Sequence, residues 1–170
     1  QQPNISDIIT DPQDNLWMSY GGYGVTGGGS DRYNPKSGKC SHFDSGQTSD
    51  NQITDDNITD LLLDRDGALW ATSWSGGVWQ FPSIMSKGFN VVHHDSSDPE
   101  SLSNDNTFSI IQDRSGVLWI GTLSAGINKL NLDTLQFRTY RNKASDSESL
   151  SSNHVGAFAE TPDGVMWVGT

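Results

Sequence analysis

The sequence predicts an all-β fold, a β-propeller of four-stranded antiparallel blades, and three observations carry that expectation. Four tryptophans, Trp17, Trp70, Trp119 and Trp167, stand 53, 49 and 48 residues apart. Each sits in one recurring frame: Leu16, Leu69, Leu118 or Met166 immediately before it, Asp14, Gly67, Gly116 or Gly164 three before, and Asp11, Asp64, Asp113 or Thr161 six before. Between them run short period-two apolar segments punctuated by Gly, Asp, Asn and Ser, with no 3.6-residue helical period. A period near fifty residues made of strand-sized segments is the signature of stacked blades, each burying its sheet faces against its neighbours.

The second unit shows the elements in order. Ile58 to Leu63 reads as a strand, Arg65-Asp66-Gly67 as a tight turn needing positive φ, and Leu69 to Thr72 as the returning strand. The glycine turn Ser75-Gly76-Gly77 leads into a third strand, Val78 to Phe81, and a fourth lies over Gly88 to Val92. The third unit repeats this with Leu118 to Thr122, Ala125-Gly126, Ile127 to Leu130 and Gln136 to Tyr140. The first unit has a longer glycine turn, Gly21 to Gly29, and an outer hairpin, Tyr33 to Gly38, that returns to Phe43. Twelve residues before the tryptophan stand Ile5, Ile58 and Val155, with Thr107 breaking the pattern beside Phe108. The polar segment Asp98 to Asn104 recurs as Asp146 to Asn153, which suits connectors from the outer strand of one blade to the inner strand of the next. The expected units are 4–52, 53–103, 104–152 and a partial 153–170, about three and a half blades of a larger propeller. The remaining blades of a longer chain, or a second copy, would cover the ends; the first is expected.

Composition narrows the function classes. A net charge of −11 repels phosphate backbones, so nucleic acid is not an expected partner. The apolar runs are too short to insert this segment into a bilayer. Cys40 stands alone, so no intrachain disulfide or CxxC metal site is possible. His93-His94-Asp95 does not read as a metal site, because adjacent strand residues point to opposite faces. His42 and His154 are isolated and read as structural or exposed. Gly27-Gly28-Gly29 is followed by neither Lys-Ser/Thr nor a helix, which excludes a phosphate loop. No nucleophile–base set emerges, and the carboxylates are dispersed. No catalytic residue, cofactor or metal is expected.

The stretch Ile110-Ile111-Gln112-Asp113-Arg114-Ser115-Gly116-Val117-Leu118-Trp119-Ile120-Gly121-Thr122 resembles the two-component regulator propeller repeat, and Arg32 to Lys39 resembles that family's outer hairpin. The resemblance extends over nearly the whole chain. Neither Gly-His nor Trp-Asp of WD40 units occurs, and the place of the sialidase-type Asp-box aspartate is held by Pro12, Arg65, Arg114 and Pro162. Departures from the resembled pattern are Thr161, Thr107, and Tyr20 or Ser73 in place of a threonine. The resemblance implies the periplasmic sensor region of a hybrid two-component kinase, which recognises an oligosaccharide released from a polysaccharide and signals to a histidine kinase elsewhere. Related repeats in outer-membrane accessory proteins leave a scaffold role open, and a propeller lyase or hydrolase is a further alternative.

A residue recurring at one place in every blade is expected to wedge between sheets, so Trp70 and Trp119 should be buried. Trp74 differs: it occupies the turn after the second strand, where other units have Gly21 and Leu123. That turn and the blade connector open on the usual ligand face of a propeller, where an aromatic offers a flat apolar surface to a sugar. Tyr20 and Tyr23 lie in the equivalent turn of the first unit. Trp74, Tyr20 and Tyr23 are therefore the candidate ligand contacts, with mutual packing of loops as the other reading.

Overall fold

The computed structural model describes residues 4–22, 28–44, 55–86, 89–132, 134 and 136–170. Among them are fourteen strands and no helix. The first sheet comprises β1 (Ile5–Thr10), β2 (Leu16–Tyr20), β3 (Gly29–Asn34) and β4 (Lys39–Phe43). The second comprises β5 (Ile58–Leu63), β6 (Leu69–Ser73), β7 (Val78–Phe81) and β8 (Asn90–Val92). The third comprises β9 (Thr107–Gln112), β10 (Leu118–Thr122), β11 (Ile127–Asn131) and β12 (Gln136–Tyr140). A two-stranded sheet, β13 (Ala157–Glu160) and β14 (Met166–Gly169), follows. Strands pair antiparallel in chain order, so each four-stranded sheet is one propeller blade.

The recurring aspartate builds the first hairpin of each blade. Asp64 accepts the backbone N–H of Asp66 at 3.0 Å and of Ala68 at 2.8 Å through Oδ1, and the Trp70 indole N–H at 2.8 Å through Oδ2. Asp113 repeats this with Ser115, Val117 and Trp119, and Asp11 with Gln13, Asn15 and Trp17. One carboxylate thus shapes a turn and fixes the rotamer of the wedge. Thr161 has a single side-chain oxygen, which accepts the Val165 N–H at 3.1 Å and leaves none for the Trp167 indole.

Trp17 and Trp70 each pack into the following blade. Trp17 clusters with Leu61, Leu69, Ala71 and Phe81 of the second blade, and its ring stacks on Phe43 at 5.2 Å. Trp70 clusters with Ile110, Leu118, Ile120, Leu130 and Phe137 of the third, under Leu102 of the connector. Burial follows what comes next. Trp17 and Trp70 are 0% and 1% exposed, Trp119 is half-buried, and Trp167 is 64% exposed. Trp119 therefore departs from the expected full burial. The two-stranded sheet offers it Met166 and Val168, counterparts of Leu118 and Ile120, but no counterpart of Leu130 or Phe137.

Connectors and inner turns are stitched together on one face. Gly77 and Gly126, at φ 71° and 79°, donate to Asp105 O and Asn153 O at 3.0 Å each. A Cβ on Gly77 would lie 2.3 Å from Val92 O, and one on Gly126 2.1 Å from Tyr140 O, so no other residue fits these turns. Trp74 N–H bonds Asn57 O at 2.9 Å, and Leu123 N–H bonds Asn106 O at 3.0 Å. The turn that carries Trp74 and the connectors leading into β5 and β9 therefore form one loop face.

Thr107 and Ser73, both departures from the repeat, compensate each other. Thr107 Oγ1 donates to Gly77 O at 2.8 Å and accepts the Ser73 N–H at 3.0 Å, while Ser73 Oγ keeps the turn bonds that Thr122 makes in the next blade. At the opposite end, Arg65 spans the seam to donate to Arg114 O at 2.6 Å and Asp113 O at 2.8 Å, and Arg114 donates likewise to Pro162 O.

Candidate ligand site on the loop face

The inner strand of every complete blade is irregular at one place. Register shifts fall between Ile5 and Asp7, between Ile58 and Asp60, and between Thr107 and Ser109, so Ser6, Thr59 and Phe108 are the bulged residues. A bulge leaves one residue out of the ladder and re-aims its side chain. Ser6 Oγ uses this to donate to Ile58 O at 2.6 Å, and Thr59 Oγ1 to Thr107 O at 3.1 Å, each tying its blade to the next.

Phe108 has no hydroxyl, and its ring turns instead into an aromatic row. It meets Trp74 edge-on, with centroids 6.0 Å apart and planes at 68°, and His154 edge-on at 6.0 Å and 81°. Edge-to-face contacts at this distance suit the quadrupoles of both rings. Trp74 and Phe108 are half-exposed and His154 is exposed, so the row is open to solvent. It draws one residue from the second blade, one from the third, and one from the connector into β13.

A cleft of about 370 Å³ adjoins Phe108 along the inner strands, bounded by Thr59, Asp60, Ser109 and Phe158. A larger cleft of about 520 Å³ lies between the third blade and the two-stranded sheet. Its walls include Trp119, Leu150, Met166 and Val168. The last three correspond to Leu102, Leu118 and Ile120, which clothe Trp70, so this space is the packing slot of the Trp119 wedge rather than a ligand site.

Carboxylates dominate the loop face around the row. Asp55 accepts from Ser75 N–H and Oγ–H at 2.8 Å each, holding the turn that follows Trp74. Asp105 accepts the His94 N–H at 2.6 Å and lies 3.6 Å from His93 Nδ1. Arg141 donates to Ala125 O at 3.2 Å, in the β10–β11 turn of its own blade.

On the inner strands, Asp7 accepts the Leu61 N–H at 3.2 Å and Asp60 accepts the Ile110 N–H at 2.9 Å. Burial pushes the Asp60 carboxyl up to about 7; the neighbouring Asp7 adds to the rise, and the Ile110 N–H opposes it. Both carboxylates are committed to backbone groups of the next blade. Among the described residues no cluster of three or more His, Cys, Asp or Glu could hold a metal ion.

Of the sequence candidates, Trp74 stands in the row. Tyr20 does not: its hydroxyl donates to Asp31 at 2.7 Å inside the first blade, and burial together with Asp31 pushes the phenol up to about 12. Tyr23 lies outside the described residues. Phe108 and His154 were missed, although the frame marks them. Eleven residues before the tryptophan the other units hold Ser6, Thr59 and Gly156; thirteen before, they hold Asn4, Asn57 and Asn106.

The two component regulator propeller model matches residues 101–124 and 149–170, both spanning a connector or hairpin of the frame described above. Those two stretches are similar to the two component regulator propeller repeat. No curated protein sequence matches it. Among solved structures it is similar to the extracellular domain of BT3049 from B. thetaiotaomicron, described as a hybrid two component system, with TM-score 0.81 and 20% identity over 99% of this chain and 22% of that one. The extracellular domain of BT4673 from the same organism, also described as a hybrid two component system, gives TM-score 0.70 and 21% identity over 98% and 22%. PorZ, a surface component of the type-IX secretion system of Porphyromonas gingivalis, gives 0.73 and 17% over 98% and 25%. The chain thus spans about a fifth to a quarter of the length of these structures. At such identities the likeness establishes the propeller fold.

Proposed function

We propose that the chain is part of an extracytoplasmic sensor region that binds an oligosaccharide without transforming it and passes the signal to a histidine kinase. Trp74 carries this reading: an indole at a turn where other blades have Gly21 or Leu123, on a residue whose backbone N–H donates to Asn57 O on the loop face. The match to regulator propeller repeats and the likeness to extracellular domains described as two-component systems support the sensor setting. The commitment of Asp7 and Asp60 to backbone N–H groups supports recognition over hydrolysis. Signalling then requires that the sugar bind one arrangement of blades or partners better than another. Calorimetric titration of the protein and of Trp74→Leu with plant and microbial oligosaccharides tests the reading. Binding that falls at least roughly tenfold in the variant is expected; equal affinity removes Trp74 from the site, and turnover of the glycan overturns the non-catalytic reading.

A further inference from the structure

We propose that Met85 is an oxidation site whose sulfoxide is captured by the Arg32 guanidinium, so that peroxide tightens the seam between the first two blades. Arg32 lies on β3 directly across from Trp17, where the second and third blades have Gln80 and Lys129. Its Cζ sits 5.7 Å from the Trp17 ring centre, and its side chain is 21% exposed. A guanidinium has five N–H donors to satisfy. The Nε–H is buried and makes no hydrogen bond; Asp11 Oδ2, 3.4 Å away, already accepts from Asn15 and Trp17. Among the described residues the side chain donates one hydrogen bond, from Nη1 to Met85 Sδ at 3.6 Å. A thioether is a weak acceptor.

The turn after β7 holds that sulfur in place. Ile84 is buried in the Trp17 cluster, while Met85 beside it is 70% exposed. Ser86 N–H donates to Ser83 O at 2.9 Å, Met85 N–H to Ser83 Oγ at 3.2 Å, and Ser83 N–H to Ser86 Oγ at 3.1 Å. Arg32, Ser41 and Phe43 of the first blade and Ile84 and Met85 of the second line a cleft of about 370 Å³, ample for a small oxidant.

Oxygen transfer from hydrogen peroxide suits both groups. A sulfur lone pair attacks one peroxide oxygen, and the O–O bond breaks with its electrons on the other. The proton of the transferred oxygen passes to that departing oxygen, giving water. Sulfur has then lost two electrons and become a sulfoxide. The new oxygen is a strong, neutral acceptor beside donors that lack a protein partner. An anion suits the cleft less well, because Asp11 stands at Arg32, and Asp31 and Asp44 stand at His42 in the cleft wall. Met18 and Met166 are half-buried, so Met85 is the methionine that peroxide meets first. At Cys40, burial and then Asp31 push the thiol up, which keeps the reactive thiolate scarce.

The protein, carrying Cys40→Ser to confine the chemistry to methionine, is treated with dilute hydrogen peroxide, mapped by peptide mass spectrometry and melted. Met85 should gain one oxygen before Met18 and Met166, and the melting temperature should rise by roughly 2–4 °C. Neither Met85→Leu nor Arg32→Leu should show the rise. Met85→Gln, whose amide oxygen stands near the place of the sulfoxide, should melt higher than Met85→Leu without any peroxide. An unchanged or lower melting temperature once Met85 is oxidised overturns the capture, as does a rise that survives in Arg32→Leu. Earlier oxidation of Met18 or Met166 overturns Met85 as the site. Should Arg32→Leu not fold, the two Met85 variants carry the comparison, and equal melting of both overturns the capture. Each of these results leaves the glycan reading of the loop face untouched.

Discussion

The Trp70 indole N–H donates to Asp64 at 2.8 Å, and the same carboxylate accepts two backbone N–H groups of the turn between them. Turn and inter-blade wedge therefore share one anchor. Asp64→Ala would strand the buried indole and the Ala68 N–H, at about 1–3 kcal/mol for each group left unsatisfied, while the Asp66 N–H lies on an exposed residue within reach of water. Denaturant unfolding should show a loss of several kcal/mol. A loss below about 1 kcal/mol would mean that the turn forms without the carboxylate.

At Asp113 the same bonds act against desolvation. Burial pushes its carboxyl up, but hydrogen bonds from Ser115, Trp119 and Val117 prevail and hold it below the usual 3.8. A depressed carboxylate contributes stability that is present above its unfolded value and lost as pH falls through the folded one. Asp11 is lowered in the same way by Asn15 and Trp17. Acid unfolding should accordingly set in below about pH 4, and Asp113→Asn should shrink the stability difference between pH 5 and pH 3.

The graded exposure of the wedges gives a ranking for the 170-residue chain. Trp70→Ala should cost roughly 3–5 kcal/mol, Trp119→Ala clearly less, and Trp167→Ala under about 0.5 kcal/mol, since Trp167 is 64% exposed. Thermal melting of the three variants side by side checks the order. Equal losses at Trp70 and Trp167 would contradict packing of each tryptophan into the following blade.

The frame of the fold was legible because it is repeated. The Trp, the Asp six before it and the turn glycines each have one physical job, and that job recurs in every blade. The Thr107 and Ser73 departures were visible as exceptions, but their compensation was not, because the bonds join residues 34 apart across a seam. The candidate site was half legible. Trp74 stood out as an aromatic in a turn, whereas Phe108 looked like an ordinary apolar strand residue, and only the bulge turns its ring toward Trp74. His154 read as isolated because its partner lies 46 residues away in sequence. Tyr20 was expected in the turn equivalent to that of Trp74, but it ends β2, and Asp31 on the neighbouring strand accepts its hydroxyl hydrogen.

Asp60 makes stability fall in the opposite sense to Asp113. Its carboxyl is raised to about 7, first by burial and then by Asp7, the titratable group facing it from β1; β6 and β9 bring none against it. A raised carboxylate is neutral in the folded state while the unfolded chain ionises near 3.8, so the folded state loses ground as pH climbs from about 4 to 7. Asp60→Asn keeps an oxygen for the Ile110 N–H and removes the charge. It should stabilise the protein by up to a few kcal/mol at pH 8 and little at pH 4. Denaturant midpoints measured across that range check it, and a gain independent of pH would rule out the ionisation as cause.

Phe108 should show what the aromatic row costs the scaffold. In the first two blades the bulged hydroxyl bonds the residue twelve before the next tryptophan, Ile58 or Thr107. Across the seam from the third blade that place is Val155 O, just before β13, to which Ser109 Oγ makes a long 3.5 Å contact. Phe108→Thr supplies the missing donor, worth about 0.5–1.5 kcal/mol for a typical hydrogen bond, against the loss of edge contacts from a half-exposed ring, about 0.5–1.5 kcal/mol per aromatic pair. Stability should therefore stay within about 1 kcal/mol of the parent, or rise. A variant that loses several kcal/mol would make Phe108 a core residue, and the aromatic row a packing feature of the third blade.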